Sequence, residues 1–295
     1  MRVLPNLFAV CLVAGCGPGA PPETPAGPES SSSAGLTQES APATDTAVEV
    51  ESDAGLVGQE NPLIGLLEQD IPYGEGADGN LVGFLAVPED AAEPLPGIIV
   101  LHEWWGLNDA VREAARRLAR EGYIVLATDF YGGRTAESVA DAQDLMRELV
   151  ADPDSVRDNI RQAVEYLERY ALAPRVGSIG WDMGGRWSLQ TGIMMPDDLD
   201  ALVMFYGAVE TDEAALDALG MPMLALFGEQ DGSIPLRSVQ EFRNVLNQLG
   251  KEAEVRIYSG VDHGFFFPGS PTYSPIAADD AWNRTIALFD AALKN

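Results

Sequence analysis

The stretch VGSIGWDMGGRW, Val176 to Trp187, decides how the chain is read. The run from Val176 to Trp181 has the apolar character of a buried strand, and a helix is expected to start near Gly184. Between them Gly180 and Gly184 flank Asp182 in the spacing Gly-x-nucleophile-x-Gly, with Gly185 following. That spacing lets a strand turn sharply into a helix while presenting the middle side chain. The middle residue here is a carboxylate. Asp182 attacks something, or the motif has lost its chemistry, or it is no catalytic motif at all. The plain alternative is a helix N-cap, a position that favours Asp. Against it stand the flanking glycines, which a strained turn needs.

Working outward, the same alternation recurs. LVGFLAVP (81–88), PGIIVLHE (96–103), YIVLATDF (123–130), LDALVMFYG (199–207), MPMLALFG (221–228) and EVRIYSG (254–260) read as strands. Several are continuously apolar, which suits strands covered on both faces of a parallel sheet. DAVREAARRLAREG (109–122) has apolar residues at helical spacing, with Asp109 as N-cap and Gly122 as stop. Two apolar stripes, Val139 to Leu149 and Val156 to Leu167, give two further helices. Another carries Val239, Phe242 and Leu246, and a last one runs from about 277 to 293. Strand and helix alternate throughout, so the expected class is α/β, a mostly parallel sheet with helices on both faces.

In such sheets the working residues sit at the carboxyl ends of the strands. Those ends read LHEWWGLN, TDFYGGR, GWDMGGR, GEQDGSIP and SGVDHGFFFPG. Both histidines of the chain, His102 and His263, lie in this set. The order nucleophile (182), acid (231), histidine (263) is the α/β-hydrolase order. In that arrangement the acid holds the imidazole, and the imidazole serves as general base. His102 reads as structural, supporting its turn. Trp104, Trp105 and Trp181 read as pocket wall and core.

On these motifs the region from about 65 to 295 resembles the dienelactone hydrolase family of the α/β-hydrolase superfamily. The resemblance implies a catalytic triad in which Asp182 takes the position of the family's Cys nucleophile, Asp231 that of its acid and His263 that of its base. It further implies that Glu103 lies beside Asp182 and that the backbone N–H groups of Met183 and Trp104 form the oxyanion hole. Arg134, after DFYGG, matches a substrate-carboxylate arginine. A second such arginine is absent, and FFFPGS stands in its place. Glu103 and Asp182 as neighbours cannot both ionise cheaply, so one should hold a proton near neutrality. With Asp231 and His263 they also have the donor types of a divalent-cation site. The triad order already accounts for three of the four, and no metal or organic cofactor is expected.

Composition bounds the partners. Lys and Arg number 18 against 46 Asp and Glu, a net charge of −28. That argues against binding nucleic acid, whose phosphates need positive counter-surface. The cysteines are Cys11 and Cys16, so the rest of the chain has no disulfide framework, thiolate metal site or cysteine nucleophile. The first 16 residues, MRVLPNLFAVCLVAGC, hold an apolar run of signal-peptide size ending in VAGC. This resembles a bacterial lipoprotein signal, which implies cleavage after residue 15 and lipidation of Cys16, anchoring the protein to the cell envelope. Residues 16–62 are rich in Pro, Ala, Ser and Glu and contain no Lys or Arg. Such a segment reads as a disordered, charge-extended tether. The catalytic domain is expected over 63–295.

Two classes of function stay open. As an enzyme, the chain hydrolyses a small-molecule substrate. The resemblance favours esters or lactones. A carboxylate nucleophile also suits attack on saturated carbon bearing a halide, or on an epoxide. Enzymes of that second kind resemble this one in using Asp but usually carry Trp next to it, where this chain has Met183. As a binding protein, the domain keeps its pocket and has lost turnover.

Overall fold

A computed structural model describes residues 64–77, 79–91 and 94–295. The segments expected as signal peptide (1–15) and tether (16–62), Cys16 among them, lie wholly outside the described residues.

The sheet has eight strands. They are β1 (Leu66–Gly76), β2 (Gly79–Pro88), β3 (Gly97–Leu101), β4 (Ile124–Ala127), β5 (Val176–Trp181), β6 (Ala201–Phe205), β7 (Met223–Gly228) and β8 (Ala253–Tyr258). Their spatial order is β1-β2-β4-β3-β5-β6-β7-β8. β2 pairs antiparallel with β1 and with β4, and every later pairing is parallel. The helices are α1 (Asp109–Arg120), α2 (Val139–Ala151), α3 (Pro153–Arg169), α4 (Met183–Met194), α5 (Glu213–Leu216), α6 (Leu236–Gln248) and α7 (Pro275–Leu293). This is the α/β-hydrolase fold.

The pleat explains why the central strands read as unbroken apolar runs. In β3, Ile99 and Leu101 enter one core with α3, α4 and α6. Ile98 and Val100 enter the other with α1 and α7. Every residue of β3 to β7 is buried because each face has its own layer of helices.

Two expectations change in detail. The N-cap of α1 is Asn108, whose Oδ1 accepts the Val111 N–H at 3.1 Å, and Asp109 is the first helical residue. β1 has no counterpart in the sequence reading. It is an edge strand whose only buried side chains are Ile71 and Tyr73, so it offers no apolar run to detect. Gly122 does end α1, with φ of +94°, a left-handed conformation that favours glycine.

Candidate active site

The site is built where β5 ends. Asp182 follows Trp181 directly and has φ 52° and ψ −113°. For a non-glycine residue this is a strained conformation, held only by what surrounds it. The surroundings are backbone. The Asp182 N–H donates to Phe205 O at 3.0 Å, and its carbonyl accepts the Arg186 N–H at 3.0 Å. A Cβ on Gly184 would run into the Leu101 carbonyl, and one on Gly180 into the Gly184 carbonyl. The glycines thus let α4 start hard against the ends of β3 and β5. Asp182 is the N-cap of α4 by position, yet its side chain makes no capping hydrogen bond. The carboxylate is turned away from the helix, which removes the plain N-cap reading.

It points at His263. His263 Nε2 lies 3.4 Å from Asp182 Oδ1, and both side chains are 26% exposed, open to a substrate. On the other side of the ring, Nδ1 lies 2.8 Å from Asp231 Oδ2. Asp231 follows β7 and is buried. Its other oxygen accepts the Ser233 and Ile234 N–H groups, each at 2.8 Å, so the carboxylate has one orientation. The two loops are stitched together by Glu229 N–H to Tyr258 O and Gln230 N–H to Val261 O. Burial disfavours a charged His263 ring, but the two carboxylates its N–H groups face, Asp182 and Asp231, outweigh it and push its pKa up to about 10. The resting imidazole therefore carries both protons, one toward each carboxylate.

Glu103, two residues beyond β3, is the third acid. Burial, then the charge of Asp182, raises its pKa to about 7. Tyr206 opposes this by donating its O–H to Glu103 Oε1 at 3.1 Å. Tyr206 itself is fully buried with φ 34°, and its ring packs edge-on against His263 at 5.0 Å. Sequence reasoning did not single it out. It carries the same signal as the others, a polar group at the end of a strand, but reads as the tail of the apolar run LDALVMFYG. Tyr131 was missed for a similar reason. Its O–H reaches Trp104 O at 3.2 Å and Met183 Sδ at 3.6 Å, tying the turn after β3 to the elbow.

The Met183 N–H lies in the first turn of α4, where helix geometry provides no acceptor. The Trp104 N–H likewise has no acceptor among the described residues. Arg134 stands apart from the triad in its bonding. Its guanidinium meets Glu148 at 2.7 Å and the Tyr131 carbonyl at 3.0 Å, and its side chain is 55% exposed. His102 is buried and bonded to backbone on both sides, as a supporting residue should be. Trp181 is core, packed at a tilt against the rings of Phe205, Phe266 and Phe267. Among the described residues no group of three or more His, Cys, Asp or Glu side chains is disposed to hold a metal ion.

Known proteins share this architecture. The profile of the Dienelactone hydrolase family matches residues 81–293. The "Protein usf" of Aquifex pyrophilus is 33% identical over 214 residues, which is 70% of this chain and 91% of that relative. A protein of Escherichia coli (strain K12), provisionally named a carboxymethylenebutenolidase, is 32% identical over 224 residues, covering 71% of this chain and 82% of the relative. Among solved structures, a protein of Klebsiella pneumoniae subsp. pneumoniae MGH 78578 provisionally described as a dienelactone hydrolase superposes with a TM-score of 0.68. It is 28% identical and covers 77% of this chain and 98% of its own. With the family profile spanning most of the sheet and its loops, the chain belongs to the dienelactone hydrolase family.

Proposed function

We propose that the domain hydrolyses small esters or lactones by covalent attack of the Asp182 carboxylate. One observation carries the reading: Asp182, His263 and Asp231 stand in line, His263 hydrogen-bonded to Asp231 and 3.4 Å from Asp182, which sits on a strained elbow. Strain of order 1–3 kcal/mol is kept at sites that use it. This, with base and acid both in place, favours turnover over a binding-only domain. The relatives' carboxymethylenebutenolidase naming favours the lactone and ester class.

Asp182 needs no proton removed before it attacks. Its oxygen bonds to the acyl carbon while the carbonyl oxygen becomes an oxyanion facing the Met183 and Trp104 N–H groups. The bond to the leaving alcohol then breaks, and the His263 imidazolium gives that oxygen its Nε2 proton. An acyl anhydride on Asp182 and a neutral imidazole remain. Acylation has cancelled one of the two charges that kept the ring protonated, so His263 becomes a base when water must be activated. Water adds OH to the acyl carbon and its other proton to Nε2. The acid leaves, and the Asp182 carboxylate and the imidazolium are restored.

A panel of nitrophenyl esters and lactones tests this. The wild-type protein should turn over members of the panel, and Asp182→Asn or His263→Gln should lower kcat roughly 1000-fold or more. Hydroxylamine should divert the anhydride to a hydroxamate. No turnover of any ester or lactone would sink the reading.

The carboxylate itself favours a second reading, displacement of halide or opening of an epoxide. The intermediate is then an alkyl ester whose acyl carbon is Asp182 Cγ, so water attacks Asp182 itself. Turnover in oxygen-18 water with halide release and label in the Asp182 peptide would replace the ester reading.

A further inference from the structure

We infer that His102 is a positioning residue for the oxyanion hole, holding the Glu103 carbonyl so that the Trp104 N–H is turned toward the reacting carbonyl. The inference rests on the ester reading for its chemistry and on bond geometry for its structure.

The hydrogen bonds fix the ring's tautomer. Phe130 N–H lies 3.0 Å from Nε2, so Nε2 must be the acceptor. Glu103 O, which can only accept, lies 2.6 Å from Nδ1. The proton is therefore on Nδ1 and is donated to the carbonyl. The ring cannot turn away. It is fully buried and lies between Phe130 and Tyr131, with ring centroids at 4.8 and 4.9 Å. The nearest acid, Asp129, has its Oδ1 4.0 Å from Nε2, too far to compete with the Phe130 N–H.

The carbonyl it holds belongs to a special peptide. Glu103 C=O and Trp104 N–H are the two ends of one planar trans unit, so they point in opposite directions. Fixing the carbonyl toward His102 fixes the N–H away from it. That N–H has no acceptor among the described residues. Gly106 N–H donates to the same carbonyl at 3.1 Å, giving it two donors. The following carbonyl, Trp104 O, is held by Tyr131, which also touches Met183 of the elbow. The two N–H groups of the hole are thereby braced against each other. An oxyanion donor contributes only if aimed before the reaction, because aiming it during the reaction costs barrier height.

Two variants separate this role from plain packing. His102→Leu keeps volume and removes the donor. His102→Asn places an amide N–H close to where Nδ1 stands and restores it. With the best ester of the panel, His102→Leu should lower kcat roughly 30- to 100-fold with KM changed less than threefold, below the loss for deleting a donor outright. Binding of a matched trifluoromethyl ketone, which forms a tetrahedral adduct, should weaken in parallel. His102→Asn should recover most of both. Crystal structures of the two variants give a readout free of turnover: the Glu103–Trp104 peptide should rotate in His102→Leu and keep its orientation in His102→Asn. An unrotated peptide in His102→Leu overturns the inference whether or not the protein is an esterase. A rotated peptide with kcat unchanged overturns it too, as does an equal kcat loss in both variants. If wild-type protein cleaves no ester while the peptide still rotates in His102→Leu, the ester reading fails and the bracing of this peptide by His102 stands.

Discussion

At the scale of single residues, the site is a set of charges that set one another's protonation, and Glu103 reports on its neighbours. Its pKa stands near 7 because burial and Asp182 raise it while the Tyr206 hydroxyl lowers it. The two neighbours can be removed separately. Tyr206→Phe takes away a donor to the carboxylate and should move the Glu103 titration upward. Asp182→Asn takes away a nearby anion and should move it down, toward 4.5. Carbon-13 NMR of labelled glutamate reads both shifts, and a common direction in the two variants would refute the account. Restoring the family's own nucleophile with Asp182→Cys should give or raise esterase activity, since His263 already stands in reach of the elbow. A folded but inert Cys variant would argue that this elbow does not present a nucleophile. The triad positions were legible because they are polar groups at the ends of apolar runs. Tyr206 was not, because an aromatic ring continues such a run and shows its hydroxyl only in three dimensions. Arg134 was matched by its place after DFYGG, and a motif cannot show that Glu148 would take up its charge.

At the scale of elements, the elbow depends on glycines for reasons that differ from site to site. Gly184 sits where any Cβ would meet the carbonyls of Leu101 and His102, and neither backbone atom can yield. Gly184→Ala should therefore cost about 3 kcal/mol, the upper end of overpacking, and should lower activity with it. Gly220 gives the control. A Cβ there finds only Pro196 O at 3.7 Å, an ordinary contact, and Gly220→Ala should change stability by less than about 0.5 kcal/mol. Urea unfolding of the two variants makes the comparison, and similar losses would mean that the elbow relaxes more easily than its packing implies. The central strands were readable from sequence because two-sided burial leaves an unbroken apolar signature. β1 was not, because only its contacts reveal it: it pairs with β2 along its length, and Asp70 and Glu68 reach Arg112 and Arg116 of α1. Those ion pairs are exposed and each contributes at most about 1 kcal/mol.

At the scale of the whole molecule, the acidic character and the expected anchor concern where the domain works, and the site's charges concern the pH at which it is stable. We propose that Cys16 is lipidated and that the segment to residue 62 tethers the domain to a bacterial envelope. Labelled palmitate should enter wild-type protein and not Cys16→Ser, and equal labelling would exclude Cys16 as the acceptor. The pH argument concerns the folded domain. His263 binds its proton more tightly in the fold, up to about 10 against an ordinary 6.5. Below pH 6.5 both states hold that proton and the fold keeps the full benefit. From 6.5 to 10 the unfolded chain has released the proton and the folded chain has not, so stability falls with rising pH. Above 10 the benefit is gone. Glu103 acts in the same direction in a lower window, since its pKa rises from 4.5 to about 7 on folding and the fold comes to carry a costly charge. The raw unfolding curve mixes both with the repulsion of a chain of net charge −28, which also changes with pH. Comparison with His263→Gln cancels the surface, which the variant keeps, and reads the His263 window together with the smaller downward pull of the His263 charge on Glu103. The difference in unfolding free energy should be on the order of 2 kcal/mol larger at pH 6 than at pH 10, allowing for screening of a partly exposed ring. A difference that stays constant across that range would mean that His263 is not held between two carboxylates, and the acid-then-base role assigned to it would fall as well.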